Sequence, residues 1–341
     1  MIKVSVVIPT FQRRNSVKRA LTALSAQTFS HDSFEVIVSI DGSDDGTREM
    51  VEEFDAPFRL RGLWEPNSGR ATACNRGVKA AEGELLIILD DDMEPSPRLV
   101  EAHHAAHPHN SMLGVIGAAP IFIDESSTLA ARYIAAEFNA RQEKISAPNY
   151  NFRIWDFYGA NLSIRRKVLI EAGAFNELFK VYGYEDIELA QRLVKAGVKF
   201  AYSPEALCTQ HYEDNFSDLA RKTINGGKMA VLMVNLHPET FTELNFRNYN
   251  SPGWKWRTLR LLLIWSSLLV PATTGAVVSF VNLFDSSSPE RQRKICSLAM
   301  DYLFWLGVWS AIKSDKKNNE LLSRIKSYEK PKTASSGNLP A

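Results

Sequence analysis

The strongest constraint on the fold is a run of short apolar, β-branched segments that alternates with helical patterns over the first ninety residues. The apolar segments lie at 3–9, 34–40, 59–64 and 84–89, and the helical ones between them at 16–27, 46–54 and 69–81. In the first helical segment Val17, Leu21 and Leu24 share one face. Strands alternating with helices of this length imply βαβ units and a parallel sheet buried on both faces. A right-handed, doubly wound connection is then expected. Ligands of such sheets bind beyond the carboxyl ends of the strands, so the polar groups that matter are those at the strand ends.

Four successive strand ends are polar. The fourth runs into Asp90-Asp91-Asp92. Three adjacent carboxylates at the mouth of a buried strand repel one another and need a cation or a hydrogen-bond network. Oxygen ligands of this kind suit Mg²⁺ or Mn²⁺ shared with a substrate phosphate, the alternative being an acidic turn in water. The second strand ends at Asp41-Gly42-Ser43-Asp44-Asp45-Gly46-Thr47, where Ser43 or Asp44 suits a helix cap and Asp41 a ligand contact. The first ends at Pro9-Thr10, with Arg13 and Arg14 beyond it. The third leads to Asn67-Ser68-Gly69-Arg70 and a helix carrying Asn75-Arg76. Glycine at a helix start admits a phosphate, and arginine pairs with it.

Further along, helices are expected at 127–144, 166–172 and 185–196, and extended segments at 159–164 and 199–202. The opening run at 3–9 has no polar leader or cleavage site and reads as a strand, not a signal peptide. Cys74, Cys208 and Cys296 are odd in number and far apart, which excludes a disulfide scaffold or cysteine zinc site and suggests a reducing compartment. The formal net charge of +1 argues against a dedicated nucleic-acid binder. That sum hides an asymmetry. From residue 250 onward there are 13 Lys and Arg against 6 Asp and Glu, whereas 1–249 holds 27 against 33. Five of the seven tryptophans also fall in the basic part, so the two parts are expected to face different surroundings.

The ordered motifs resemble those of an inverting family 2 glycosyltransferase with the GT-A fold. Val-Val-Ile-Pro-Thr at 6–10, the Asp41–Thr47 turn, the segment 67–77 and Asp90-Asp91-Asp92 at the Asp-Xaa-Asp position carry the likeness. So does Gly183-Tyr184-Glu185-Asp186-Ile187-Glu188-Leu189, similar to the Glu-Asp motif of the acceptor half. The likeness covers roughly 3–215. It departs at Gln12, where Asn is usual, and at Cys74, where Arg is common.

The resemblance implies a mostly parallel, Rossmann-like α/β sheet flanked by helices and a nucleotide-diphospho-sugar donor, most often UDP-linked. Asp41 would bind the base beside Pro9 and Thr10, and Asp90 or Asp91 would reach the ribose. Arg13, Asn67, Arg70 and Asn75 would complete the donor site. Asp92 would bind the metal, with His211 completing its shell. Asp186 would be the base that takes the acceptor proton, with Glu185 beside it. Trp155, Asn161 and Tyr184 would line the sugar and acceptor. The helix-spaced His103, His104, His107 and His109 offer no third ligand type and read as a solvated face. Two rival readings are an aspartate phosphatase, whose motif Glu94 does not match, and a membrane-associated scaffold without turnover.

The expected organisation is a catalytic domain at 1–250, with a nucleotide-binding half at 1–110 and an acceptor half at 111–250. A basic, tryptophan-rich helical extension at 251–330 and a disordered tail at 331–341 follow. Residues 261–284 carry no charge and are long enough to span a bilayer, while 295–312 reads as an amphipathic helix. Either spanning topology would leave basic residues on the outer side, against the positive-inside tendency. The extension is therefore expected to lie in the interface at the cytoplasmic face of the cell membrane, within reach of a glycan or polyprenyl-linked acceptor, the alternative being a helical bundle packed on the catalytic domain.

Overall fold

The computed structural model describes residues 1–327 apart from 109–110, 148–149, 151, 245, 247–248, 251 and 316–317. The expected tail at 331–341 and His109 lie outside the described residues. The chain divides into two compact units, 1–216 and 217–341. The break thus falls at 216, inside the expected catalytic domain, instead of at 250.

The first unit is built in the order β1 (Val4–Thr10), α1 (Arg14–Ser25), β2 (Phe34–Asp41), α2 (Thr47–Glu52), β3 (Arg59–Glu65), α3 (Arg70–Ala80), β4 (Leu85–Leu89) and β5 (Met93–Pro95). It continues with α4 (Leu99–Ala105), β6 (Leu113–Gly117), α5 (Leu129–Ile145), β7 (Asn161–Arg165), α6 (Arg166–Glu171), α7 (Glu185–Lys195), β8 (Lys199–Ser203) and β9 (Cys208–Gln210). Seven strands form one sheet in the order β3-β2-β1-β4-β7-β6-β8. β3, β2, β1 and β4 run parallel, as the alternation requires, while β7 is antiparallel to both β4 and β6.

Every residue of β1, β2 and β4 is buried, which is why these strands read as near-continuous Val, Ile and Leu. One face packs Val6, Ile8, Val36, Val38 and Ile87 against α1, and the other packs Val7, Ile37 and Ile88 against α3. The parallel register places Thr10 beside Ile40 and Asp41 beside Glu65, so the strand tips share one edge. A second, two-stranded sheet pairs Met93 with Gln210. That pairing brings the chain after β9 back to the end of β4.

The second unit is helical. α8 (Phe216–Leu236) begins at the unit boundary, and α9 (Trp254–Leu269), α10 (Ala272–Asn282), α11 (Pro289–Ser314) and α12 (Asn319–Ser327) follow. The uncharged stretch 261–284 is not one helix. Val270 is extended (φ −128°, ψ 95°) before Pro271, because proline disfavours the helical conformation of its predecessor. The expected interfacial segment 295–312 is instead part of a core helix. Cys296, Tyr302, Leu303, Trp305, Val308 and Ile312 of α11 are all buried. α11 is also long and apolar enough to cross a membrane, but 61% of its apolar window is buried.

Candidate active site

The strand ends and the start of α7 meet around one guanidinium. Arg70, the first residue of α3, donates to Asp90 Oδ1 through Nη2 at 2.6 Å and Nε at 3.2 Å. Its Nη1 donates to Asp186 Oδ1 at 3.0 Å, and Glu185 lies 3.8 Å away. Only glycine suits position 69, just before α3, because its φ is +98° and a Cβ on it would stand 2.5 Å from the Lys180 carbonyl oxygen. The carboxylate following β4 and the acidic start of α7 are thus joined by one side chain.

Asp186 is held from two sides, since its Oδ2 accepts the Gly159 N–H at 3.0 Å. Tyr184, half-buried and left-handed at φ 69°, turns the chain into α7 and places Glu185 and Asp186 in its first turn, at the positive end of the helix. Glu185 is buried and accepts the Gly183 N–H at 2.8 Å. Burial, reinforced by neighbouring Asp186 and only partly offset by Arg70, pushes its carboxyl up to about 7.

The donor side is equally interlocked. Thr10 donates to Asp91 Oδ2 at 2.7 Å. Arg13 lies 4.0 Å from Asp91, 3.8 Å from Asp92 and 2.8 Å from Asp214. Burial opposes the charge on Arg13, but these three carboxylates hold its pKa well above the ordinary value. Burial also pushes Asp91 up to about 7; Arg13 acts against that shift and Asp92 adds to it. Asp41, buried at the tip of β2, accepts the N–H groups of Ser68 (3.0 Å) and Gly69 (2.9 Å) and the Ser68 hydroxyl (3.1 Å). Asn67 donates to the Asp41 carbonyl at 3.1 Å. The Arg76 guanidinium stands 3.9 Å from the same carboxylate. Pro9 is buried within β1 below this cluster.

The two residues expected to hold a metal are brought opposite each other. Extending the β5–β9 register sets Asp92 against His211, and the His211 N–H donates to the Asp92 carbonyl at 2.9 Å. Gln210 donates to Asp92 Oδ2 at 3.1 Å, while the His211 imidazole is paired with Glu94 at 2.6 Å. Among the described residues no group of three His, Cys, Asp or Glu side chains converges as a metal cage. The donors present nevertheless fit Mn²⁺ or Mg²⁺: a cation of this type takes one or two protein carboxylates and completes its shell from substrate phosphates and water.

Three expectations need correction. Asn161 does not line a sugar site, because it is fully buried and donates to the Ala118 and Ala206 carbonyls at 3.1 and 2.8 Å. Asn75 does not face the donor. Its amide donates to the Phe175 carbonyl at 2.9 Å and Glu177 at 2.8 Å, and its oxygen accepts the Phe175 N–H. His103 and His107 are not solvated: both are buried, bonded to Asn161 and to Ser163 at 2.8 Å. Cys74 is a fully buried core residue whose thiol burial pushes up to about 12, so it takes over no role from the arginine common at that position. Trp155 sits half-buried in a short turn beside Asp156, whose carboxylate is spent on Arg153 and Tyr150.

Sequence reasoning missed three contributors. They are the Gly159 N–H on Asp186, Gln210 on Asp92, and Asp214 anchoring Arg13. None bears a local signal, since each depends on segments at least 27 positions apart meeting in the fold.

The profile described as glycosyl transferase family 2 matches residues 5–173, and that described as the N-terminal domain of galactosyltransferase matches 139–214. Residues 5–173 belong to glycosyl transferase family 2. Validoxylamine A glucosyltransferase of Streptomyces hygroscopicus subsp. jinggangensis is 28% identical over 273 residues, covering 70% of this chain and 62% of the relative. Chondroitin synthase of Escherichia coli is 27% identical over 241 residues, covering 61% of this chain and 34% of that protein. The chain thus spans less than two thirds of the length of these relatives. In fold it resembles S. aureus TarS 1-349 in complex with UDP-GlcNAc, with a TM-score of 0.53, 14% identity and 90% of each chain covered.

Proposed function

We propose that the protein transfers a sugar, with inversion, from a nucleotide-diphospho-sugar to a hydroxyl of a glycan or lipid-linked acceptor in cell-surface polysaccharide or glycoconjugate synthesis. The observation that carries this reading is the Arg70 bridge, which places the donor-side Asp90 and the acceptor-side Asp186 within reach of one guanidinium. Asp186 takes the proton from the acceptor hydroxyl as its oxygen bonds to the anomeric carbon. The bond from that carbon to the diphosphate breaks on the opposite side, and the nucleoside diphosphate leaves with the electron pair. Each Asp186 oxygen has one hydrogen-bond donor and keeps an acceptor position for this proton.

The UDP-GlcNAc complex of the structural relative favours a uridine donor. Asp41 and Thr10 would then stand at the base side, Asp90 and Asp91 at the ribose. A divalent cation held at Asp92, with His211 turned from Glu94, would supply positive charge for the departing diphosphate. Arg13 adds fixed positive charge to the same corner.

The test is a panel of nucleotide-sugars, with and without Mn²⁺, read as donor hydrolysis and as transfer to glycan and polyprenyl-linked acceptors. Wild type is expected to turn over one donor only with metal. Asp92→Ala should lose metal-dependent binding of the nucleotide, and Asp186→Asn should bind the donor but lose transfer. No nucleotide binding in the presence of metal, or full transfer by both variants, would overturn the assignment.

A further inference from the structure

The second unit carries an apolar face that points away from its own core. α9 and α10 both pack on α11, turning Arg260, Ile264 and Ser267 of α9 and Val278 and Val281 of α10 inward. Arg260 reaches Asp301 of α11 at 3.0 Å, and Ser267 meets the Tyr302 hydroxyl at 2.5 Å. The opposite faces are exposed and apolar. Leu259, Leu262, Trp265 and Leu269 repeat at helical spacing along α9, with Leu262 63% and Leu269 75% exposed. Val270, Phe280 and Leu283 continue the surface past the break, with Leu283 78% exposed. In a water-soluble surface, a connected apolar stripe of this kind marks a binding face.

Charge indicates what covers it. No Asp or Glu occurs between 252 and 284. The cations that border the face lie on its aromatic rings: Lys313 is 4.4 Å from the Trp265 ring centroid, Arg291 5.0 Å from that of Phe284, and Lys255 5.8 Å from that of Trp254. A groove of about 460 Å³ opens on the neighbouring side of α10, against α8, with Arg221, Lys228, Asn225 and Asn282 in its walls. Apolar side chains surrounded by tryptophan and cations match the layering of a bilayer surface, with acyl chains beneath anionic phosphates. The rim acids are confined to one end, where exposed Asp285 and Glu290 follow α10, and Arg221 of the groove is paired with Asp218 at 2.9 Å, so Lys255, Arg291 and Lys313 are the cations that border the apolar stripe itself.

We infer that the α9–α10 face docks in-plane on an anionic bilayer, its leucines and Phe280 below the head groups and its rim cations on lipid phosphates. It does not cross the membrane. α9 has 16 residues and α10 has 11, whereas a spanning helix needs about 20. This docking is independent of the sugar and acceptor proposed above, and its test does not use transfer.

The experiment is flotation of the full chain with vesicles of phosphatidylcholine alone and with 30 mol% phosphatidylglycerol, roughly the anionic content that such polybasic rims read. Wild type is expected to float at least about tenfold better with the anionic vesicles and to be released by high salt. Leu262→Gln/Leu269→Gln/Phe280→Gln should abolish flotation at any salt. Arg291→Glu/Lys313→Glu should remove the anionic preference. A second readout needs no folding control: brominated lipid should quench wild-type tryptophan fluorescence, and Trp265→Phe should remove most of that quenching. Absence of flotation by wild type, or unchanged flotation of the triple glutamine variant, would overturn the inference. So would a wild-type dimer in solution that the triple variant disperses, because the face would then belong to a second copy.

Discussion

Gly159 and Asp186 are fitted to each other at the entrance to α7. The Gly159 N–H donates to Asp186 Oδ2 at 3.0 Å, and a Cβ at position 159 would stand 2.5 Å from Oδ1 of the same carboxylate. Glycine here is required by the closeness of the proposed base, not by backbone conformation, since its φ is not in the left-handed range. Gly159→Ala should therefore push Asp186 aside. A displacement of about 1 Å at a reacting group can cost on the order of 100-fold in rate. The expected outcome is a kcat lowered about 10- to 100-fold with the donor KM nearly unchanged, measured by steady-state transfer assays.

Arg70 offers a complementary test. Its planar fork serves Asp90 and Asp186 at once, whereas the compact ammonium of a lysine has no fixed fork to span both. Arg70→Lys keeps the charge and loses the bridge. It should raise the donor KM and lower kcat together, which separates it from Gly159→Ala. A variant with wild-type kcat and KM would show that the bridge is not needed for turnover.

The sequence made the sheet's first half legible because β1, β2 and β4 are buried on both faces and carry no polar interruption. β6 escaped notice because Leu-Gly-Val-Ile-Gly is short and carries glycine at 114 and 117. The antiparallel direction of β7 is set by which strands it joins, β4 and β6, and has no signature in Asn161–Arg165 itself. At the site, carboxylates at strand ends announced themselves, since charge beside a buried strand needs a reason. Asn161 misled for the converse reason: an amide in a motif strand reads as ligand-facing until its partners at Ala118, Ala206 and His103 are known.

The buried histidines make acid stability a test of the core. Burial pushes His103 and His107 down to about 4, although the bond to Asn161 acts against this at His103. Unfolded histidine titrates near about 6.5, so between these values the unfolded chain binds more protons. The histidine contribution is fully present above about pH 6.5 and is lost as pH falls toward 4. Asp91 and Glu185, raised to about 7, have the opposite slope: their protons are held by the folded state, and stability falls as pH rises from about 4 to 7. The two slopes partly cancel in wild type. Relative to wild type, His103→Gln should raise the thermal midpoint more, or lower it less, at pH 5 than at pH 7.5. Glu185→Gln should compare better at pH 7.5 than at pH 5. Identical offsets at both pH values would contradict the burial of these groups.

Neighbouring glycines in α8 should respond with opposite sign. Gly227 and Gly307 lie where α8 and α11 cross at backbone contact: a Cβ on Gly227 would strike the Phe304 carbonyl, and one on Gly307 the Ile224 carbonyl. These obstacles are helix backbone and cannot rotate away, so one helix must move. Overpacking of this kind costs about 1–3 kcal/mol, more than the roughly 1 kcal/mol that alanine gains over glycine in a helix. Gly226, one residue earlier, has nothing within 4 Å of a Cβ and should collect that gain without the clash. Gly227→Ala and Gly307→Ala are expected to lower the thermal midpoint, and Gly226→Ala to raise it, by differential scanning calorimetry. If Gly227→Ala matched Gly226→Ala, the α8–α11 crossing would have to be looser than the structure has it.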